Sequence, residues 1–212
     1  MPEVTTTHPV PADLLARAHA LIAAGGRHLI GIAGAPGAGK STLAAQLVEA
    51  LGPRAVLVPM DGYHLADDEL HRLRLHHCKG ALDTFDVGGY LALLRRMRAA
   101  DEPVVYAPVF DRALEAAVAG SIRVPQTTPL VVTEGNYLLV DDGPWAGVRA
   151  LLDQVWFVEV PETVRLERLT ARHRRFGRSA EDAAARARGS DQVNAELIAA
   201  TRGRADLVVT LG

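Results

Sequence analysis

A doubly wound α/β fold, a parallel sheet in a three-layer arrangement, is the architecture this sequence predicts. Three observations carry that expectation. About five short apolar runs, at residues 28–33, 55–60, 129–133, 154–160 and 207–209, are bounded by Gly, Pro or an acid, as strands buried on both faces require. Stretches with apolar residues at helical spacing separate them. The first unit reads strand, glycine loop, helix, strand, which is how a βαβ unit opens.

In chain order, residues 11–24 carry Leu14, Leu15, Ala18, Leu21 and Ile22 on one helical face, and Gly25-Gly26 supplies the stop. Residues 28–33 form the first strand, and residues 41–51 a helix. The run 55–60 is a second strand ended by Asp61. Leu91, Leu93, Leu94 and Met97 place a helix over 87–100, with basic residues on its other face. Two short strands follow at 104–110 and 121–124, split by a stretch too polar for a core. The runs at 129–133 and 154–160 are core strands. Pro161 is expected at the first helical position of a helix over 163–175, and a single second helix covers 180–201. A last strand at 207–209 closes the chain.

Composition narrows the function classes. The 212 residues fit one domain, with 49% hydrophobic and 23% charged residues, which excludes disorder and coiled coil. A net charge of −2 provides no global field for nucleic acid, so no nucleic-acid partner is expected. No apolar stretch approaches the roughly 18 residues of a membrane span, and residues 1–10 have neither the basic nor the apolar segment of a signal peptide. Cys78 is the only cysteine, so no disulfide forms within the chain, which fits a cytoplasmic protein. Of the 23 basic residues all but Lys40 and Lys79 are arginine.

The segment Gly34-Ala35-Pro36-Gly37-Ala38-Gly39-Lys40-Ser41, followed by Thr42, has the form G-x-x-x-x-G-K-[ST]. Its glycines let the backbone curl so that successive N–H groups point at phosphate oxygens, and the helix behind adds its positive end. Lys40 is suited to bridge the β- and γ-phosphates, and the Ser41 hydroxyl to ligate Mg²⁺. The loop lies between an expected strand and an expected helix, its confirming context. It leaves three outcomes, a GTPase switch, an ATPase coupled to motion and a small-molecule kinase. The string Asp86-Val87-Gly88-Gly89 has a switch-like D-x-x-G form but does not end an apolar strand, and no N-K-x-D sequence occurs.

In open parallel sheets ligands sit at the carboxyl ends of strands. Two acids fall there, Asp61 after 55–60 and Glu134 after 129–133. Between them they can supply a metal-shell carboxylate and a base for an acceptor hydroxyl. A helix cap or turn is the structural alternative for either.

At this point the sequence resembles the phosphoribulokinase/uridine kinase family, which includes pantothenate kinase, over about residues 29–209. Asp61-Gly62-Tyr63 is similar to the family's Asp-Gly-Phe or Asp-Ser-Phe segment. Asp83-Thr84-Phe85-Asp86 resembles its Asp-Ala-Phe-Asp segment, and Pro108-Val109-Phe110-Asp111-Arg112 its Pro-x-Tyr-Asp element. Glu134-Gly135 matches its Walker B-like strand end, and Thr201-Arg202 with Ala205-Asp206 its adenine side. The resemblance implies an ATP- and Mg²⁺-dependent phosphotransferase acting on a hydroxyl of a nucleoside, pantothenate or a sugar, with Asp61 as base. It places Arg202 beside the nucleotide, and Tyr63, His64, Phe85, Asp86, Phe110 and Arg112 around the acceptor. Tyr63-His64 replaces the Phe-Tyr of uridine kinases, and the histidine-containing extension after Pro-x-Tyr-Asp is absent.

Eight arginines lie between Arg165 and Arg188, most of them expected on a solvated helix face. By resemblance to the family's lid, Arg172 and then Arg175 are the choices for contact with the transferring phosphate, with a hinge at Phe176-Gly177. His64, His71, His76, His77 and Cys78 crowd one segment but lack the spacing of a zinc site. The expected organisation is one domain over 1–212, with a core sheet from 28–61 and 129–210, a substrate-side segment at 62–125 and a lid at about 172–190. A homodimer is compatible with it. The competing function is an NTPase switch or metallochaperone-type protein acting through a protein partner.

Overall fold

The structure is a computed structural model that describes residues 10–175, 177 and 179–211. Phe176 and Arg178, on either side of the expected hinge glycine, lie outside the described residues. The strands are β1 (His28–Ala33), β2 (Ala55–Leu57), β3 (Val104–Asp111), β4 (Ala116–Pro125), β5 (Leu130–Glu134), β6 (Gln154–Glu159) and β7 (Leu207–Thr210). The helices are α1 (Ala12–Ala23), α2 (Lys40–Leu51), α3 (Asp67–Arg72), α4 (Val87–Ala99), α5 (Glu162–Arg175), α6 (Ala180–Arg188) and α7 (Ser190–Ala199).

Five strands form a parallel sheet in the order β2-β5-β1-β6-β7, and β3 and β4 pair antiparallel in a separate ribbon. The chain leaves β1 in one direction for β2 and β5 and later in the other for β6 and β7. The carboxyl end of β1 is therefore the switch point, where a crevice opens. Successive β1 residues pack on opposite faces, as the period of two demands. Leu29 joins Val131, Val155 and Phe157 under α4, whereas Ile30 and Ile32 join Leu130, Val132, Trp156 and Val158 against α1 and α2.

Three expectations need correction. The strand at 55–60 ends at Leu57, and Met60–Tyr63 is a 3₁₀ turn. Val58 N–H still bonds Val132 O at 2.8 Å, and from Met60 the chain turns into the 3₁₀ segment, so the ladder goes no further. Asp61 thus sits on the turn that follows the strand, not at the strand's end. The helix expected over 180–201 is two helices broken at Gly189, whose φ of −96° and ψ of −106° are not helical. Pro161 precedes α5 rather than opening it, and its carbonyl accepts the Arg165 N–H at 3.0 Å.

One buried polar chain ties α4 to the sheet. The Thr133 hydroxyl donates to Val58 O at 2.7 Å, so the proton in the 2.7 Å contact between Tyr90 and Thr133 must come from the Tyr90 hydroxyl. Burial raises the Tyr90 pKa, which keeps that donor protonated. Tyr90→Phe is expected to cost about 1 kcal/mol, seen in scanning calorimetry as a melting temperature lower by roughly 2–4 °C. An unchanged midpoint would remove this bridge from the stabilising contacts.

Candidate active site

The glycine loop is shaped by what passes behind it. A Cβ on Gly34, whose φ is +145°, would lie 2.3 Å from Val158 O on β6; one on Gly37, at φ +84°, would lie 2.9 Å from Arg165 O on α5. Only glycine fits either place. Gly39 then precedes α2 with no side-chain cap, which leaves the helix N–H groups open to an anion.

Lys40, the first residue of α2, is 7% exposed. Its Nζ donates to Ala35 O at 3.1 Å and to Asn136 Oδ1 at 2.7 Å. Burial lowers its pKa, opposed by the charges of Glu134 and Asp61 and reinforced by Arg172. Glu134, at the end of β5, accepts the Ser41 hydroxyl at 2.9 Å on Oε1. Its pKa is raised, by burial first and by Asp61 second, against the lowering effect of Lys40, Ser41 and Arg112.

Facing this pair is the 60–63 turn. Asp61 Oδ2 lies 3.4 Å from a guanidinium nitrogen of Arg112, which follows β3. Gly62 is pinned against the ribbon, since a Cβ there would meet Pro108 O at 2.5 Å. The His64 ring stands between Phe85 and Phe110, with centroids 4.1 and 4.9 Å away. Lys79 Nζ lies 5.3 Å from the Phe110 centroid and donates at 2.7 Å to both Asp67 Oδ1 and Glu115 O.

These groups line one cleft of about 810 Å³, closed on its far side by residues of α5, α6 and α7. That volume suits a nucleotide with a small acceptor. Among the residues expected at the site, the cleft brings together Pro36, Lys40, Ser41, Asp61, His64, Phe85, Phe110, Arg112, Glu134 and Arg172. Gly34, Ala35, Gly37, Ala38 and Gly39 of the loop, and Thr42, exposed one residue along α2, are not among the residues that line it. Arg172 keeps an exposed side chain by area, yet its guanidinium pKa is lowered, by burial first and by the charge of Arg112 second. Arg172 lines the cleft wall, where surrounding protein atoms disfavour its charge.

Away from the loop, four further expected residues are outside the lining. Asp86 caps α4, accepting the Gly89 N–H at 2.8 Å, and is exposed. Tyr63 packs on Tyr90, 5.5 Å between centroids, and burial pushes its pKa up to about 12. Arg175 ends α5 exposed. Arg202 pairs with Glu159 at 2.7 Å at the carboxyl end of β6. Other residues of the cleft have no counterpart in the sequence expectations, chiefly Asn136, Lys79 and the pair His173 and Asp191, 2.7 Å apart. Asn136 is two residues past Glu134, in the bend beyond the end of β5, where strand alternation no longer applies. His173 and Asp191 sit on different helices, so no local spacing joins them.

A nucleotide loop at the switch point of a parallel sheet, facing an acid across one cleft, defines a P-loop kinase. Residues 29–212 match the family model described as Phosphoribulokinase / Uridine kinase family, and the chain belongs to that family. It is 34% identical over 208 residues to a protein of Schizosaccharomyces pombe provisionally designated a uridine kinase, covering 93% of this chain and 88% of that one. A crystal structure from Silicibacter sp. TM1040, provisionally a fructose transport system kinase, matches with a TM-score of 0.82 at 37% identity, over 92% of this chain and 98% of that one. Pantothenate kinase of Mycolicibacterium vanbaalenii is 31% identical over 136 residues, 62% of this chain and 43% of its own length. The protein is accordingly an ATP-dependent small-molecule kinase. No described helix is long and apolar enough to cross a membrane.

Proposed function

We propose that the chain moves the γ-phosphoryl group of ATP to a hydroxyl of a small metabolite of the nucleoside, pantothenate or sugar class, with Asp61 as the base. The observation that carries this reading is the single cleft running from Lys40 and Ser41 past Asp61 to the aromatic wall of His64, Phe85 and Phe110. In it the loop N–H groups and Lys40 hold the phosphates, and the Lys40 ammonium exchanges Asn136 for a phosphate oxygen. Asp61 accepts the hydroxyl proton, with Arg112 keeping its carboxylate oriented.

Ser41 and Glu134 offer oxygen donors 2.9 Å apart beside the loop, a donor set that fits Mg²⁺ and would hold it. Bound magnesium supplies charge neutralisation at the phosphate oxygens. Arg172, from the far wall, stabilises charge on the transferring group. Residues 172–190 act as the lid, 62–125 as the substrate-side segment, and the rest as the core. Arg175 and Arg202 serve this reading only after a movement of the lid or through the nucleotide's outer part.

The relatives' designations as uridine kinase, fructose transport system kinase and pantothenate kinase span the same acceptor classes. ADP release from ATP, measured across nucleosides, pantothenate and sugars with products identified by mass spectrometry, tests the reading. Stimulation by at least one acceptor, abolished by EDTA, is the expected result. Hydrolysis indifferent to every acceptor would overturn it in favour of a nucleotide switch.

A further inference from the structure

The 60–63 turn does more than present one acid. In a 3₁₀ turn, side chains three residues apart lie on the same side, so Asp61 and His64 face the cleft together. The backbone N–H of His64 and its ring Nδ1 both meet Asp61 O, at 3.2 and 2.8 Å. A carbonyl only accepts, so Nδ1 carries the proton. Burial lowers the His64 pKa and keeps the ring neutral, with Asp61 opposing and Lys79 and Arg112 adding to the shift. Nε2 is then a bare lone pair. It has no partner among the described residues and is not a buried atom, so it opens on the cleft.

The ring cannot turn away from this duty. Phe85 and Phe110 hold it on both sides, and a flip would put the Cδ2–H where Nδ1 now donates and so lose the 2.8 Å hydrogen bond to the Asp61 carbonyl. Side by side, then, the turn offers a carboxylate and a neutral imidazole nitrogen, two acceptors and no donor. A carboxylate or phosphate on the bound metabolite would meet lone pairs there. The two cations nearby are engaged with the protein, Lys79 with Asp67 and Glu115, Arg112 with Asp61.

The geometry points to a neutral polyol as the acceptor, one hydroxyl giving its proton to Asp61 and a neighbouring hydroxyl donating to His64 Nε2. This inference rests on the kinase reading above. The shared chemistry is a pair of adjacent hydroxyls, and it is carried equally by the ribose of a nucleoside and by a free sugar. His64 is the specificity-determining residue, and the aromatic walls receive the carbon face between the hydroxyls.

The experiment compares kcat/KM of the full chain for uridine against its 2′-deoxy and 3′-deoxy forms, for D-ribose and D-fructose against singly deoxygenated counterparts, and for pantothenate as the acid-bearing acceptor. Wild type is expected to prefer one intact diol over its deoxy form by roughly 10-fold, the effect of one hydrogen bond to a group otherwise left unpaired. His64→Phe keeps a ring in the stack and removes the lone pair. It is expected to bring that ratio to about 1 by lowering the diol's kcat/KM, with the deoxy compound and the KM for ATP little changed. Selectivity on uridine identifies the ribose and selectivity on a free sugar identifies the sugar; either supports the inference. An equal ratio in wild type and His64→Phe, or a preference for pantothenate, overturns it. His64→Gln, which retains an acceptor oxygen, restores part of the ratio if the lone pair matters and none if packing alone does. The kinase reading is judged separately in the same assay, because Asp61→Asn then loses transfer to every acceptor whichever way the diol selectivity falls. Transfer to no acceptor by wild type overturns both.

Discussion

Asp61→Asn is expected to lower kcat for acceptor phosphorylation by about 100- to 10,000-fold, the range that a positioned general base contributes. Asparagine has the shape of the acid and none of its basicity, so the acceptor hydroxyl keeps its proton at the moment of attack. The fold should not notice. The side chains of Asp61 and Arg112 are 30% and 49% exposed, so breaking their contact strands no buried charge, and a pair this open contributes little to stability. The turn is held through the Asp61 carbonyl, which still receives both N–H groups of His64. Initial rates with each accepted acceptor, together with calorimetric ATP titration, check this. The expected pattern is a collapsed kcat with an ATP affinity within a few-fold of wild type. A variant retaining a tenth or more of the wild-type rate would remove Asp61 from the role of base and leave it as a turn residue.

The sheet was legible in the sequence because strands buried on both faces must be continuous apolar runs, and the run at 28–33 coincides with β1. Where the expectation overran, a local rule competed with hydrophobicity. The 3₁₀ turn beginning at Met60 ends the strand inside an apolar stretch, and Gly189 breaks a stretch whose composition reads as helix throughout. At the site, the loop residues and both acids were readable because their chemistry demands fixed types at fixed spacing. Asp86 stands apart: its segment matches a family pattern, and its Oδ1 accepts the Gly89 N–H as the cap of α4. The contact of His173 with Asp191 brings α5 to α7 across 18 residues and was invisible, since only tertiary packing sets it. Asn136 is the instructive omission. It holds Lys40 from the bend after β5, where no strand period reaches, so only its nearness to Glu134 in the sequence pointed to it.

Lys40→Met is the second large effect expected, a loss of phosphoryl transfer of roughly 100- to 1,000-fold, comparable with removing one preorganised donor from a developing charge. Burial is what makes the lysine effective. Lys40 is buried, so its charge is little screened, and burial disfavours the ammonium until an anion pairs with it. The substitution also reveals how the site is held before nucleotide binds. Without Lys40, Glu134 loses the main cation that favours its ionised form and keeps the two influences that oppose it, burial and Asp61. Rather than remain a buried, unpaired carboxylate it takes up a proton, so the variant folds. The sign then follows. A carboxyl whose pKa is raised by folding stabilises the fold while protonated, and that stability is lost as the pH climbs from the ordinary carboxylate range through the raised value. Lys40→Met is therefore expected to melt near the wild-type temperature at acid pH and to fall further below it as the pH rises, a divergence that a double variant Lys40→Met/Glu134→Gln abolishes. Parallel melting profiles of Lys40→Met and wild type across that range would mean that Glu134 does not depend on Lys40 for its charge, and that the two belong to separate parts of the site.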